Sequence, residues 1–303
     1  MKVKLFKSSR ESTGDRLLMA FIYVCLTIIL LIVLYPLVWV VSASVSDPFM
    51  IRQGKLWFLP VGFQLRGYHM VFTDEEILLG YRNSLFYMVV GTTINIFMTT
   101  IAAFPLSCKD FKARNVLALL FSFTMWFNGG IIPNYLLMKQ LHFTNTVWSV
   151  LISSAVSVWN LMIMRNYFST SIPDGLRDAA RIDGCSNIGY LFRIAIHLAG
   201  PIMAVLVVFY GVGRWNDYFN ALIYISNRKL YPLQLFLREI LIMNQMASSQ
   251  QNVATDSTMT EMLMVAESVK YAVIVVASLP VLIVYPLVQR YMLSGITVGA
   301  IKG

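Results

Sequence analysis

Charge is scarce in this chain: Asp, Glu, Lys and Arg make up 13% of its 303 residues, while 57% are hydrophobic. A soluble domain carries about a quarter charged residues to cover its surface, so much of this surface faces something other than water. Cysteine is equally thin. Cys25, Cys108 and Cys185 show no metal-like spacing, and no disulfide framework follows from them. His69, His142 and His197 stand far apart, so no metal site is read. The phosphate-binding pattern Gly-x4-Gly-Lys-Ser/Thr is missing, so the chain carries no nucleotide-binding loop of that type. Gly211-Val212-Gly213 lacks the rest of a dinucleotide fingerprint and reads as a helix-packing site. The long apolar stretches carry no mid-span charge, HExxH or nucleophile motif. That argues against a membrane-embedded hydrolase and against a proton- or sodium-driven carrier.

What is abundant is uninterrupted apolar sequence. A bilayer core of about 30 Å needs roughly 20 helical residues at about 1.5 Å each, and six segments qualify. They do not alternate with period two, and no water reaches that depth to satisfy a free backbone, so they are helices. The expected bounds are 17–43, 83–107, 115–137, 146–168, 201–225 and 269–292. The fourth and fifth rest on the charge-free stretches 140–164 and 194–213. The fold class is therefore all-α integral membrane with six transmembrane helices. Pro36 is expected to kink the first. Phe127-Asn128-Gly129-Gly130, followed by Pro133, is expected to break the third, while the fourth and fifth read as single helices. The first helix follows five basic residues, as a signal peptide would. Its apolar run far exceeds the usual 7–15 or so residues, so it is retained, and Ser42-Ala43-Ser44 is a coincidental cluster of small residues.

Basic residues set the orientation. With the N-terminus inside, the cytoplasmic segments hold 14 of the 24 Lys and Arg and 6 of the 15 acids, giving +8 against +1 outside. The short loop with Lys109, Lys112 and Arg114 is the strongest single signal. Both termini are thus expected in the cytoplasm. The overall +9 reflects topology and anionic lipid rather than nucleic acid. Three parts follow: 1–81, with the arm, first helix and first external segment; 82–292, the five-helix core; and the tail 293–303.

One segment, 172–200, differs in kind from its apolar surroundings. Pro173 suits a first helical turn, and Asp174 and Asp178 favour its positive end. Ala179 and Ala180 leave one side without bulk, where another protein could approach. Gly184 permits positive φ and stops the helix, and Ser186 can cap a second one that contains Ile188 and Phe192. The object is a cytoplasmic hairpin of two short helices, and periodicity alone allows it to be an ordinary interfacial hairpin.

Asp178-Ala179-Ala180, three residues, Gly184, nine residues, then Ile194 resembles the EAA signature of binding-protein-dependent, type I ABC importer permeases. Arg181-Ile182-Asp183-Gly184-Cys185-Ser186 and Phe192-Arg193-Ile194 match as well. The sequence is similar to the carbohydrate branch, as the second permease of a maltose-type heterodimer. Trp215-Asn216-Asp217-Tyr218-Phe219 and the C-terminal ending support this, and Tyr231-Pro232-Leu233-Gln234 with the long external loop 226–268 points to the lipoprotein-dependent complex-oligosaccharide subgroup. The match runs from Arg82 to the C-terminus. Asp178 stands in place of the usual Glu, and His197 in place of the usual Pro, which would let the second short helix run on into helix five.

The resemblance implies a sugar importer permease, with an importer of another solute such as peptides, or a membrane scaffold, as the alternative. Its hairpin would be a coupling helix docked on the ATPase through Asp174, Arg177, Asp178, Ala179, Ala180, Asp183, Gly184, Ser186 and Phe192. Gly299, Lys302 and Gly303 would reach the ATPase from the tail. Implied partners are a homologous permease, two copies of a cytoplasmic ATPase that holds ATP and Mg, and an extracytoplasmic solute-binding lipoprotein met by the external loop. Sugar recognition wants aromatic faces beside amide groups, and Trp126, Asn128, Trp159, Asn160, Trp215, Asn216 and Phe219 are the candidates. Trp and Tyr at span ends are more often interfacial anchors, and anchoring or packing is the alternative for each of the seven.

Overall fold

The computed structural model describes residues 13–249, 266–283 and 286, and helix is the only regular structure among them. The tail residues Gly299, Lys302 and Gly303 lie outside the described residues. Two compact units share the chain, 1–70 with 247–275 and 71–246 with 276–303.

In the first unit, α1 (Thr13–Ser44) runs for 32 residues through Pro36 as one helix. That is about 48 Å, well beyond a bilayer core. Its side chains are mostly exposed, with Trp39 and Val40 half-buried, until Ser42, Ala43 and Ser44, which are buried. The small cluster is therefore no coincidence. It is where the helix docks: Ser42 Oγ donates to Phe58 O at 2.6 Å, and Ser44 Oγ lies 2.8 Å from Tyr68 Oη. The short α2 (Pro48–Arg52) is capped by Asp47, and Ile51, Leu56 and Tyr271 close a small core with Ala43. α3 (Arg66–Thr73) leads to the second unit.

That unit is organised on α4 (Glu75–Ser107), a 33-residue helix whose first turn Asp74 caps by accepting from the amides of Glu76 and Ile77. The third span breaks where Phe127–Gly130 predicts, into α5 (Arg114–Trp126) and α6 (Ile131–Gln140), bent by 115°. The fourth span is also broken, contrary to its apolar pattern, into α7 (Val147–Ser153) and α8 (Val158–Thr170), bent by 50°. After it come the hairpin helix α9 (Asp174–Ile182), then α10 (Asn187–Tyr190), a π-helical turn Leu191–Ala195 and α11 (Ile196–Leu198).

The fifth span is α12 (Gly200–Trp215), ending at Asn216–Tyr218, with α13 (Phe219–Tyr224) beyond. The second hairpin helix does not run on into it: the chain turns by 82° between Leu198 and Gly200. Pro201, which lacks an N–H and crowds the preceding turn, suffices without a proline at 197. α14 (Leu233–Ser249) lies within the long loop 226–268, and α15 (Ala266–Ile283) is the described part of the sixth span. Three of the described helices are long and apolar enough to cross a membrane, and counting each bent pair as one span gives up to six.

The core of this unit lies where α8 and α12 pack along α4. Ala103, Leu161, Met164, Ala195 and Leu206 there have no exposed surface. At the other end of α4, Asn83 Nδ2 donates to Lys229 O and Tyr231 O at 2.8 and 3.0 Å, and Tyr87 Oη to Leu230 O at 2.9 Å. These bonds fasten the turn before α14.

Candidate functional site

The hairpin forms as its residues dictate. α9 begins at Asp174 directly after Pro173, and Gly184 takes φ +74°, the left-handed turn that reverses the chain. Ser186 then accepts from the Gly189 amide at 3.1 Å and starts α10. Tyr190, Leu191 and Ala195 anchor the hairpin in the core, with the Tyr190 ring 6.0 Å from that of Phe104. The two alanines part company. Ala179 is exposed, but Ala180 is buried against the chain's own core, so the bulk-free side is only partly open to another protein.

A second anchor is electrostatic. The loop after α4 supplies Lys109, whose Nζ lies 2.5 Å from Asp174 Oδ2, and Asp110, whose Oδ2 lies 2.7 Å from Arg181 Nη2 and 3.5 Å from Arg177 Nη2. The hydrogen bond from Arg181, then the charges of Arg177 and Arg181, hold the Asp110 carboxyl below its ordinary pKa. A groove of about 390 Å³ runs between this ion pair and α10, lined by Phe104, Phe111, Arg177, Arg181 and Ile188. Asp110 escaped the sequence reading, which weighed that loop for its basic residues alone.

The tip of the hairpin is bare. Ile182 is 87% exposed and Ile188 72%, beside the exposed Asp178, Ala179, Asp183 and Phe192. Two isoleucines held in the open by a hairpin tied down at its base make an apolar knob with a polar rim, the arrangement of a docking surface. Of the nine hairpin residues singled out, Asp178, Ala179, Asp183, Gly184, Ser186 and Phe192 are on the exposed part, whereas Asp174, Arg177 and Ala180 serve its base.

The sugar candidates do not converge. Trp215 is 1% exposed; its Nε1 donates to Ala277 O at 2.9 Å and its ring meets Tyr81 edge-on, so it is a packing residue. Asn160 is buried as well. Asn128 is spent on the break in the third span, accepting from the Gly130 amide. Asn216 Nδ2 donates back to Val212 O, while Trp126, Trp159 and Phe219 are exposed. None of the seven lines the apolar cavity of about 510 Å³ bounded by Met88, Thr92, Phe97, Phe192, Val207 and Pro280.

A buried polar cluster was also missed. Arg214, directly after the charge-free stretch 194–213 on which the fifth span was based, lies inside α12 and is 5% exposed. Its Nε donates to Asn95 Oδ1 at 2.9 Å, Nη1 to Val150 O at 2.5 Å, and Nη2 to Leu151 O and Ser154 O at 2.8 and 3.1 Å. Asn95 Nδ2 donates to Ser154 O and Ala155 O at 2.6 and 2.7 Å. Across the break, Tyr210 Oη accepts from the Ser157 amide at 3.1 Å and sits 2.7 Å from Thr99 Oγ1. The signal was present as the polar pair Asn95 and Thr99, one turn apart in an apolar span. Room for the guanidinium comes from Gly91, and not from Gly211 or Gly213, whose surroundings are open or in ordinary contact.

No family model matches the chain. It is 36% identical over 272 residues to Protein LplC of Bacillus subtilis, covering 90% of both chains. It is 34% identical over 290 residues to the polygalacturonan/rhamnogalacturonan transport system permease protein YtcP of the same organism, covering 95% of this chain and 99% of that one. Among solved structures it resembles a chain of a bacterial ABC transporter involved in the import of the acidic polysaccharide alginate. There the TM-score is 0.83 and the identity 32%, over 94% of this chain and 99% of the other.

Proposed function

Since the chain belongs to the permease subunits of sugar-importing ABC transporters, we propose that its hairpin tip is the handle by which a nucleotide-driven ATPase moves it. The chain is a membrane-embedded translocation subunit and not an enzyme, and it works in a complex with an ATPase and a binding protein. It imports oligosaccharides. Fragments of acidic polysaccharides are the proposed class, because polygalacturonan and alginate are the polymers named for two of its relatives.

In this reading the termini and the hairpin face the cytoplasm. A homologous permease completes the pathway, and two ATPase copies, which hold ATP and Mg, grip one hairpin each. Residues 226–268 meet the binding lipoprotein, and Gly299, Lys302 and Gly303 reach the ATPase pair. The observation that carries it is the exposed Ile182 and Ile188 on a base fixed by Asp110 and the Phe104–Tyr190 contact. Closure of the ATPases would displace that knob, and the pathway would change between its two open states.

Gly184→Val tests the handle. Its φ of +74° is one that a β-branched residue adopts only under strain, so the tip is remodelled while the buried base stays. Expected is uptake lost with the membrane complex still hydrolysing ATP, and a cysteine at Ala179 labelled only from the cytoplasmic side. Normal uptake in Gly184→Val, or labelling of Ala179→Cys from outside, would sink the reading.

A further inference from the structure

Side chains from the second and fifth spans are hydrogen-bonded to both sides of the break in the fourth. From this we propose that Asn95, Thr99, Tyr210 and Arg214 form a clamp that carries displacement of the hairpin through α12 into α8, making the break a hinge of the transport cycle. The proposal rests on the hairpin being the handle.

Begin with the backbone. A helix leaves its last four carbonyls without amide partners, and at membrane depth no water replaces them. α7 ends at Ser153, and the next turn of amides is displaced by the 50° bend. Arg214 and Asn95 supply the missing donors to Val150, Leu151, Ser154 and Ala155. The dependence is mutual. Arg214 has no carboxylate in hydrogen-bond reach among the described residues, and its charge is offset by these carbonyls at the negative end of a helix dipole. Straightening the fourth span would return the carbonyls to amides of its own chain and strand a cation. The break and the arginine therefore stand or fall together.

The far side of the break is held by the same two helices. Tyr210 lies four residues before Arg214, and Asn95 four before Thr99, so each pair shares a helix face. Tyr210 Oη receives the Ser157 amide, at the N-cap of α8. Both lips of the break are thus fastened to α12, one above the other. α12 starts at Gly200, where the hairpin ends, and Arg214 is about 21 Å further along a single helix. A rigid helix pulled at one end must move the break at the other, and α8 carries Trp159 on its first turn.

A staple that merely stabilised the fold would lower everything together. The test uses the assembled transporter with its ATPase and binding protein in vesicles, and reads sugar uptake and ATP hydrolysis per complex. Arg214→Lys keeps the charge, but one ammonium cannot reach four acceptors. Tyr210→Phe keeps the ring and loses the bond to α8. Expected is a drop in sugar imported per ATP of about tenfold or more in Arg214→Lys and a few-fold in Tyr210→Phe, with hydrolysis nearly unchanged. Uptake and hydrolysis falling in proportion, or an unaltered ratio, would overturn the clamp. If Arg214→Lys does not assemble, Thr99→Val with Tyr210→Phe decides by the same ratio. Gly184→Val is the comparator: uncoupling there with intact coupling in the clamp variants removes the clamp alone, and intact coupling there removes the handle as well.

Discussion

Gly91 has no room for a methyl group. A Cβ there would lie 2.8 Å from Arg214 Nε, 3.1 Å from Cδ and 3.3 Å from Cζ, where about 3.5–4.0 Å is comfortable. An arginine at a surface would swing aside. This one is pinned by Asn95 and three carbonyls at 2.5 to 3.1 Å, so relief must come from stretching those bonds or parting α4 from α12. Overpacking of this kind costs about 1–3 kcal/mol, and weakening a hydrogen bond to a charged group adds up to about 1.5–3 kcal/mol. The better helix propensity of alanine returns about 1 kcal/mol. Gly91→Ala is therefore expected to destabilise by about 2–3 kcal/mol, and by no more than about 5 kcal/mol. Gly213→Ala, with nothing within 4 Å of its Cβ, should be neutral or gain up to about 1 kcal/mol. Melting of the purified chain in detergent reads both. Gly91→Ala should melt several degrees lower and Gly213→Ala at the parent temperature or above. A Gly91→Ala protein as stable as the parent would refute the argument, because the guanidinium would then not be fixed.

Three further outcomes are expected. Trp215→Phe removes the indole's hydrogen bond to the Ala277 carbonyl, which keeps its partner within α15, at about 0.5–1.5 kcal/mol; it should lower the melting temperature slightly while the KM for uptake stays unchanged, and a raised KM would restore Trp215 to the sugar pathway. Leu206→Ala empties a site with no exposed surface; lipid is as apolar as leucine, so the cavity dominates and the melting loss should fall at the lower end of the 2–5 kcal/mol or so typical of such cuts. Asp110 has its pKa depressed by Arg181 and Arg177, so its tie to α9 is complete above the ordinary carboxylate pKa of 3.8 and is lost as pH falls through the still lower folded value. Limited proteolysis at Arg177 and Arg181 should thus be constant from about pH 8 to 5, yet faster throughout in Asp110→Asn.

Six spans and a charged hairpin could be read from the sequence because both are local. Apolar length, the Asn-Gly-Gly and Pro133 of the third span, Gly184 and Ser186 each act within a turn of where they stand. The break in the fourth span has no such mark. Ser153, Ser154 and Ala155 tolerate a helix, and what opens it are donors about sixty residues away on either side, Asn95 and Arg214. Arg214 misled for a related reason: hydropathy takes a charge at the edge of an apolar run as its end, whereas the carbonyls of a neighbouring helix draw it inside. Gly91 and Ser42-Ala43-Ser44 are meaningful only through what packs on them. Trp215 and Asn160 share their residue types with sugar sites but are buried within the protein, a distinction that composition cannot make.

The bare isoleucines at 182 and 188 also bear on the life of the subunit before it has any cargo. On the proposed docking, a copy made without its nucleotide-hydrolysing companion would present grease to the aqueous side of the membrane, open to chaperones and proteases alike. Its amount in the cell should then track the supply of that companion, and surplus copies should be short-lived.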